Sequence, residues 1–149
     1  MIINKQVGIF LNLVHFQFKK FLNSLFQKHG CILTPEQFLV MDTLWDEEGV
    51  LFQQQIADIL IKDKNSVVKL IDALEDKGLV TRVADLEDKR QKQIHLTQKA
   101  LELKESATTI ALASTDAIIE GISKSDLLIF LKVLEAMSSN INSHSGTLL

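Results

Sequence analysis

The chain has 149 residues, a net charge of −3, 46% hydrophobic and 23% charged residues, and one cysteine, Cys31. These values exclude a disordered chain and an internal disulfide framework, leave room for one or two small cores, and fit a reducing cytosol. They also argue against a generally basic nucleic-acid binder, because counterion release needs Lys and Arg clustered at phosphates.

The N-terminal stretch MIINKQVGIFLNLVHFQF is apolar, but Asn4, Lys5, Gln6, Asn12, His15 and Gln17 interrupt it. No small-residue cleavage site follows, and no run reaches the roughly 18 apolar residues of a membrane span, so the stretch reads as a soluble helix with no membrane partner. That helix runs from about Ile3 to Lys28. Val7, Leu11, Val14, Phe18, Phe21 and Leu25 recur at alternating spacings of four and three, as on a helix that packs against another. Ile9, Phe10, Leu13, Phe16, Leu22 and Phe26 widen the stripe beyond one seam, and a helix this apolar needs cover on several sides. Dimerisation would provide it.

His29, Gly30 and Cys31 make a break, and Thr34-Pro35-Glu36-Gln37 starts a second helix: Thr34 and Gln37 suit a capping box, and Pro35 stands at N1, where its missing N–H costs nothing. Phe38, Met41, Leu44 and Trp45 face inward, and the helix ends near Asp46-Glu47-Glu48-Gly49. Val50 to Phe52 is long enough for a minimal strand. Gln53 to Leu60 forms a third helix, expected to bury Ile56, Ile59 and Leu60, and only a few residues separate it from the next, as a helix-turn-helix requires.

From Asp63 to Thr97 the chain reads DKNSVVKLIDALEDKGLVTRVADLEDKRQKQIHLT. At 100° per residue, Val67, Leu70, Ile71 and Leu74 share one face, with Asn65, Lys69, Asp72 and Asp76 opposite. Gly78 stands at C′ and Leu79 supplies the apolar contact of a Schellman stop. Apolar and polar residues then alternate from Leu79 to Ala84 and from Lys92 to Leu96, around a turn carrying Asp85, Glu87, Asp88, Lys89 and Arg90. Thr97 caps a fifth helix to about Glu120, stopped by Gly121. Ser123 to Asp126 opens a sixth, whose Leu127, Leu131, Leu134 and Ile141 again follow a heptad spacing. The tail from Asn142 is small and polar and is expected to fray. The fold class is therefore mainly α with a small β-hairpin wing: residues 33–97 form a winged helix-turn-helix, between helices in residues 1–32 and 98–149 to which the resemblance below assigns dimerisation.

Charge is uneven along this order. Lys62 to Lys99 holds nine of the sixteen basic residues against seven acids, so the stretch is net positive in an acidic chain, which points to it as the surface that meets an anion.

Leu33-Thr34-Pro35-Glu36-Gln37-Phe38, Ile56-Ala57, the run DKNSVVKLIDALEDKGLV and the wing DLEDKRQKQIHLT, with Asp85-x-x-Asp88-x-Arg90 ahead of Leu96-Thr97, resemble the MarR family of bacterial transcription regulators over nearly the whole chain. The resemblance implies an obligate homodimer built on helices one, five and six, with a recognition helix and a wing from each subunit on palindromic DNA. Three positions depart from the family pattern. Lys69 stands where an Arg is usual, exchanging a bidentate guanine reader for a looser ammonium contact. Val68 replaces a common Thr, offering a methyl to a thymine methyl. Ala100 replaces a usual Gly and stiffens the start of helix five.

On this reading Lys64, Asn65, Ser66, Val68 and Lys69 present the first two turns of the recognition helix to base edges and phosphates, whereas a bare amphipathic helix would simply show water a polar face. Asp72 and Asp76 repel phosphates, so they belong beyond the groove or accept from Lys69 or Lys77. Lys89, Arg90 and Lys92 bring positive charge to the wing, where a slim Arg can enter a minor groove, with Asp88 holding the guanidinium; a solvated charged turn is the plain reading of most hairpins. Gln53, Gln54, Lys62 and Lys64 flank the turn, where side chains position without specifying. Cys31, beside His29, raises a possible redox role, but a lone cysteine next to Ile32 and Leu33 is more often a small hydrophobe. His29 and Cys31 are too few for zinc, and no phosphate loop, nucleophile elbow or HExxH occurs, so no metal, cofactor or enzymatic step is expected.

The function these features favour is a cytoplasmic DNA-binding regulator, a repressor acting as a homodimer on double-stranded operator DNA. A small apolar or aromatic effector, or an oxidant, would release it. The rival is a winged-helix protein-interaction module without DNA binding, favoured by the acidic net charge and by Lys69.

Overall fold

The computed structural model describes residues 2–47 and 49–145. Glu48 of the acidic helix end and residues 146–149 of the polar tail, both assigned above, lie outside the described residues. The order is α1 (Ile3–Lys28), α2 (Pro35–Asp46), β1 (Val50–Phe52), α3 (Gln53–Leu60), α4 (Lys64–Asp76), β2 (Val80–Ala84), β3 (Lys92–Leu96), α5 (Gln98–Ile119) and α6 (Lys124–His144). The fold is mainly helical with a small antiparallel sheet. Contacts divide the chain into two compact units, Met1–Thr115 and Asp116–Leu149.

Local chemistry sets the ends of these elements. Thr34 Oγ1 accepts from the Gln37 N–H while Gln37 Oε1 accepts from the Thr34 N–H, each at 3.2 Å, a reciprocal cap that starts α2. Gln55 Oε1 accepts from the Phe52 N–H at 2.8 Å and does half of that work for α3. At the end of α4, Gly78 has φ +74°, its N–H donates to the Glu75 carbonyl, and the Leu79 N–H donates to the Leu74 carbonyl at 3.0 Å, the paired bonds of a Schellman motif. Thr97 joins that stop to the next helix. Its hydroxyl donates to the Gly78 carbonyl at 2.7 Å and accepts from the Ala100 N–H, so the end of α4 and the start of α5 share one side chain.

The sheet has the order β1-β3-β2 and is antiparallel throughout, with Leu51 opposite Ile94 and Ile94 opposite Arg82. The wing hairpin is therefore anchored on its β3 side by β1, which lies in sequence before the helix-turn-helix. Under it, Val67, Ile71 and Leu74 of α4 meet Ile56 and Ala57 of α3, Val40, Met41 and Leu44 of α2, and Ile94, all buried in one cluster with Leu22 and Phe26 of α1. Phe26 packs on Phe38 and Phe38 on Trp45, at centroid distances of 5.6 and 6.2 Å. The Trp45 Nε1–H donates to the Ala100 carbonyl at 3.2 Å, satisfying the one polar atom of a buried indole. Ala100 is itself fully buried.

One burial expectation fails. Ile59 is exposed and Ala57 takes its place, because the direction bisecting Ile56, Ala57 and Leu60 on a 100° wheel points about a quarter turn away from residue 59. In α1 only Leu22 and Phe26 enter the core, while Leu11, Val14 and Phe21 of the heptad stripe stay exposed. No residue of α6 is buried, and its Phe130, Leu131 and Ile141 are more than half exposed.

Candidate nucleic-acid interface

The turn between α3 and α4 closes on Ile61, which sits in the left-handed region at φ 52°, rarely occupied by a β-branched residue. The following Lys62 N–H returns to the Ala57 carbonyl at 3.0 Å. Asp63 then caps α4: its Oδ1 accepts from the Ser66 N–H at 2.9 Å and its Oδ2 from the Ser66 hydroxyl at 2.7 Å, and these bonds hold the Asp63 carboxyl below the usual aspartate range. Of the residues singled out on this helix, Lys64, Asn65 and Lys69 are exposed, while Ser66 and Val68 are half-buried. Ser66 is thus engaged in the cap, its hydroxyl donating to Asp63.

The wing turn is built around one carboxylate. Asp85 Oδ2 accepts from the N–H groups of Asp88 and Glu87 at 3.0 and 3.2 Å, and its Oδ1 accepts from Gln93 Nε2 at 3.0 Å. The Asp88 amide is the leading cause that lowers the Asp85 pKa from its ordinary value. Asp88 in turn accepts from the Arg90 N–H and Nε, both at 3.1 Å, so the guanidinium is held by its neighbour while its side chain remains 92% exposed. Lys89 and Lys92 are exposed beside it. Among the described residues none of Lys64, Lys69, Lys89 and Lys92 forms an ion pair. A cleft of about 270 Å³ runs between the wing and the helix-turn-helix, lined by Phe52, Gln53, Gln54, Lys64, Arg90, Gln91 and Lys92. Three of the cations read from sequence, from two separate stretches, thereby meet at one groove.

One residue of this surface was not singled out from sequence. Arg82 on β2, 19% exposed at its side chain, donates Nη1 to Asp72 Oδ1 at 2.7 Å and to Glu75 Oε1 at 3.3 Å, Nη2 to the Val68 carbonyl at 3.1 Å, and Nε to Gln53 Oε1 at 3.1 Å. Asp72 is therefore paired across the fold and not with Lys69 or Lys77 along its helix. Lys77 turns the other way, donating to Gln37 Oε1 at 2.6 Å and to the Ile32 carbonyl. Only the strand position betrays Arg82 in the sequence: it stands two residues after Val80, in phase with the inward side of β2 and opposite Ile94. Gln53, which the sequence leaves open between a phosphate contact and a solvent-facing residue, is occupied by Arg82, and Gln54 donates to Asp58 at 3.0 Å.

Behind the interface, a crevice of about 260 Å³ lies between α1, α2 and the helix-turn-helix, lined by His15, Phe18, Lys19, Leu22, Pro35, Glu36, Leu39 and Lys62. Lys19 and Glu36 form an ion pair across it, and the hydrogen bond from Lys19, more than the nearby charges of Lys62 and His15, lowers the Glu36 pKa. Trp45 and Leu101 line a different crevice, with His95 and Lys104. Cys31 is half-buried against the core, its N–H bonded to the Phe26 carbonyl. Among the described residues no cluster of His, Cys, Asp and Glu could hold a metal ion, and no helix is long and apolar enough to cross a membrane.

The model of the MarR family matches residues 33–92. The whole fold is similar to that of a MarR-family transcriptional regulator from Rhodococcus sp. RHA1, at 23% identity and TM-score 0.79 over 92% of this chain and 95% of the other. It is similar to S. aureus MepR, solved as a DNA complex, at 24% identity and TM-score 0.81 over 89% and 96% of the two chains. CouR from Rhodococcus jostii RHA1, solved with p-coumaroyl-CoA, matches at 22% identity and TM-score 0.76 over 96% and 94%.

Proposed function

We propose, from the match of residues 33–92 to the model of the MarR family, that this protein is a MarR-type cytoplasmic transcription regulator, a repressor that binds palindromic operator DNA as a homodimer and is released by a small ligand. The observation that carries the reading is the convergence of Lys64, Arg90 and Lys92 on one cleft beside the exposed first turns of α4, in a chain whose net charge is −3. A cationic groove on an acidic molecule concentrates the attraction for phosphates at one face. In this assignment Asn65, Val68 and Lys69 read base edges from the major groove, and Lys64, Lys89, Arg90 and Lys92 contact the backbone and minor groove. Ser66 serves the same surface through the cap that sets the start of α4.

The apolar faces left open on α1 and on α6 suit burial against a second copy, which supports residues 1–32 and 98–149 as dimerisation helices. The crevice that carries Lys19 and Glu36 touches both α1 and the Lys62 turn, so an apolar or aromatic effector seated there would bias the angle between dimer helices and reading heads. No catalytic step is assigned to the protein.

Selection of bound sequences from random duplex DNA tests the reading: a palindrome with half-sites about one helical turn apart is the expected result. A pool that stays random would sink it. The acidic net charge and Lys69 favour the rival, a protein-interaction module. For a DNA binder log K falls linearly with log salt concentration, and a module of the other kind shows no duplex binding to titrate.

A further inference from the structure

Arg82 lies at the centre of the reading surface, yet its charge is directed inward. From β2 its guanidinium makes four bonds to two other elements: Gln53 of α3, and the Val68 carbonyl, Asp72 and Glu75 of α4. Four of its five N–H donors can be accounted for by these partners, and at 19% exposure little of the group remains for a ligand. Asp72 and Glu75 are themselves much more open, at 57% and 43%, and Asp72 follows Asn65 and Lys69 along the polar face of α4. Left unpaired, these two carboxylates would stand beside the phosphates that Lys69 and the wing cations attract.

We infer that Arg82 is a positioning residue for DNA recognition, a strut that locks the wing strand to the recognition helix and masks two acids of that helix, Asp72 and Glu75, from the phosphate backbone. This rests on the DNA-binding reading above. The Val68 carbonyl belongs to one of the residues assigned to base reading, so the strut fixes the backbone at the centre of the reading turn. Asp72 and Glu75 thereby serve the wing from below, with part of their charge offset by Arg82. A lysine would not reproduce this geometry, because one ammonium cannot fork between two carboxylates while also reaching Gln53 and a helix carbonyl.

The test compares wild type, Arg82→Gln, Asp72→Asn/Glu75→Gln and the triple variant, by amide hydrogen exchange without DNA and by operator titration at several salt concentrations. Arg82→Gln should speed exchange in β2 and in the last turns of α4, and weaken operator binding by about tenfold or more. The triple variant should recover much of that affinity, because no carboxylate remains to be masked. If Arg82 were a phosphate contact, the triple variant would stay weak and its log–log salt slope would be smaller by about one, and that result overturns the proposal. Unchanged exchange in Arg82→Gln overturns the strut whether or not DNA binds. A wild-type chain that binds no duplex, in a molecule whose exchange does change, removes the DNA reading and the masking role and retains the strut. Should Arg82→Gln not fold, Asp72→Asn/Glu75→Gln decides: exchange in β2 and in the last turns of α4 should speed as the strut loses its charged partners, and unchanged exchange overturns it.

Discussion

At the scale of single residues, the wing depends on a chain of carboxylates that hold cations and amides in place. Arg90 is 92% exposed and among the described residues its side chain bonds only to Asp88, so Arg90→Ala removes no core contact. It should weaken operator binding by roughly 1–3 kcal/mol with the thermal unfolding midpoint unchanged, which titration and a melting curve on the same sample would check. Asp85 predicts a pH response. Its carboxyl is held below the ordinary aspartate value chiefly by the Asp88 amide. A group with a depressed folded pKa contributes stability that is fully present above its unfolded pKa and lost as pH falls through the folded one. The Gln93 side-chain amide signals, followed by NMR, should therefore hold steady from neutral pH down through the ordinary aspartate range and move only below it. In Asp85→Asn the transition should vanish.

At the scale of elements, the stops and starts around α4 decide where the reading helix points. Gly78 holds φ +74°, and a Cβ there would have open space apart from Lys99 Cδ at 3.9 Å. The cost of Gly78→Ala is therefore backbone strain and not collision, about 1 kcal/mol of stability by denaturant unfolding. A loss several times larger would mean that the Schellman stop is coupled to the Thr97 junction more tightly than these bonds indicate. The reciprocal cap at Thr34 and Gln37 was legible in sequence because both of its partners lie within one turn. The same Gln37 also accepts from Lys77, forty residues on, and nothing in the local pattern announces that bond. Asp72 teaches the same lesson: helical spacing offered Lys69, and the fold supplied Arg82 from another strand.

At the scale of the whole molecule, the exposed faces of α1 and α6 set the last expectation. Leu11 and Val14 are 45% and 52% exposed on the heptad stripe of α1. Val14→Lys should shift sedimentation from dimer toward monomer and reduce operator affinity with it, since two reading heads held at one spacing bind cooperatively. A variant that remains fully dimeric would remove α1 from the dimer interface.

The sequence by itself determined the element order, the capping chemistry, the wing pattern and the cations Lys64, Arg90 and Lys92, because periodicity, turn residues and caps act over a few residues. Only the tertiary structure decided that those cations line one cleft, that Ile59 and the α1 stripe stay outside the core, and that Arg82 bridges β2, α3 and α4. Those outcomes depend on which chain segments pack together, and the energy that selects among them comes from burial of the shared core around Val67, Ile71 and Leu74, which no local window contains.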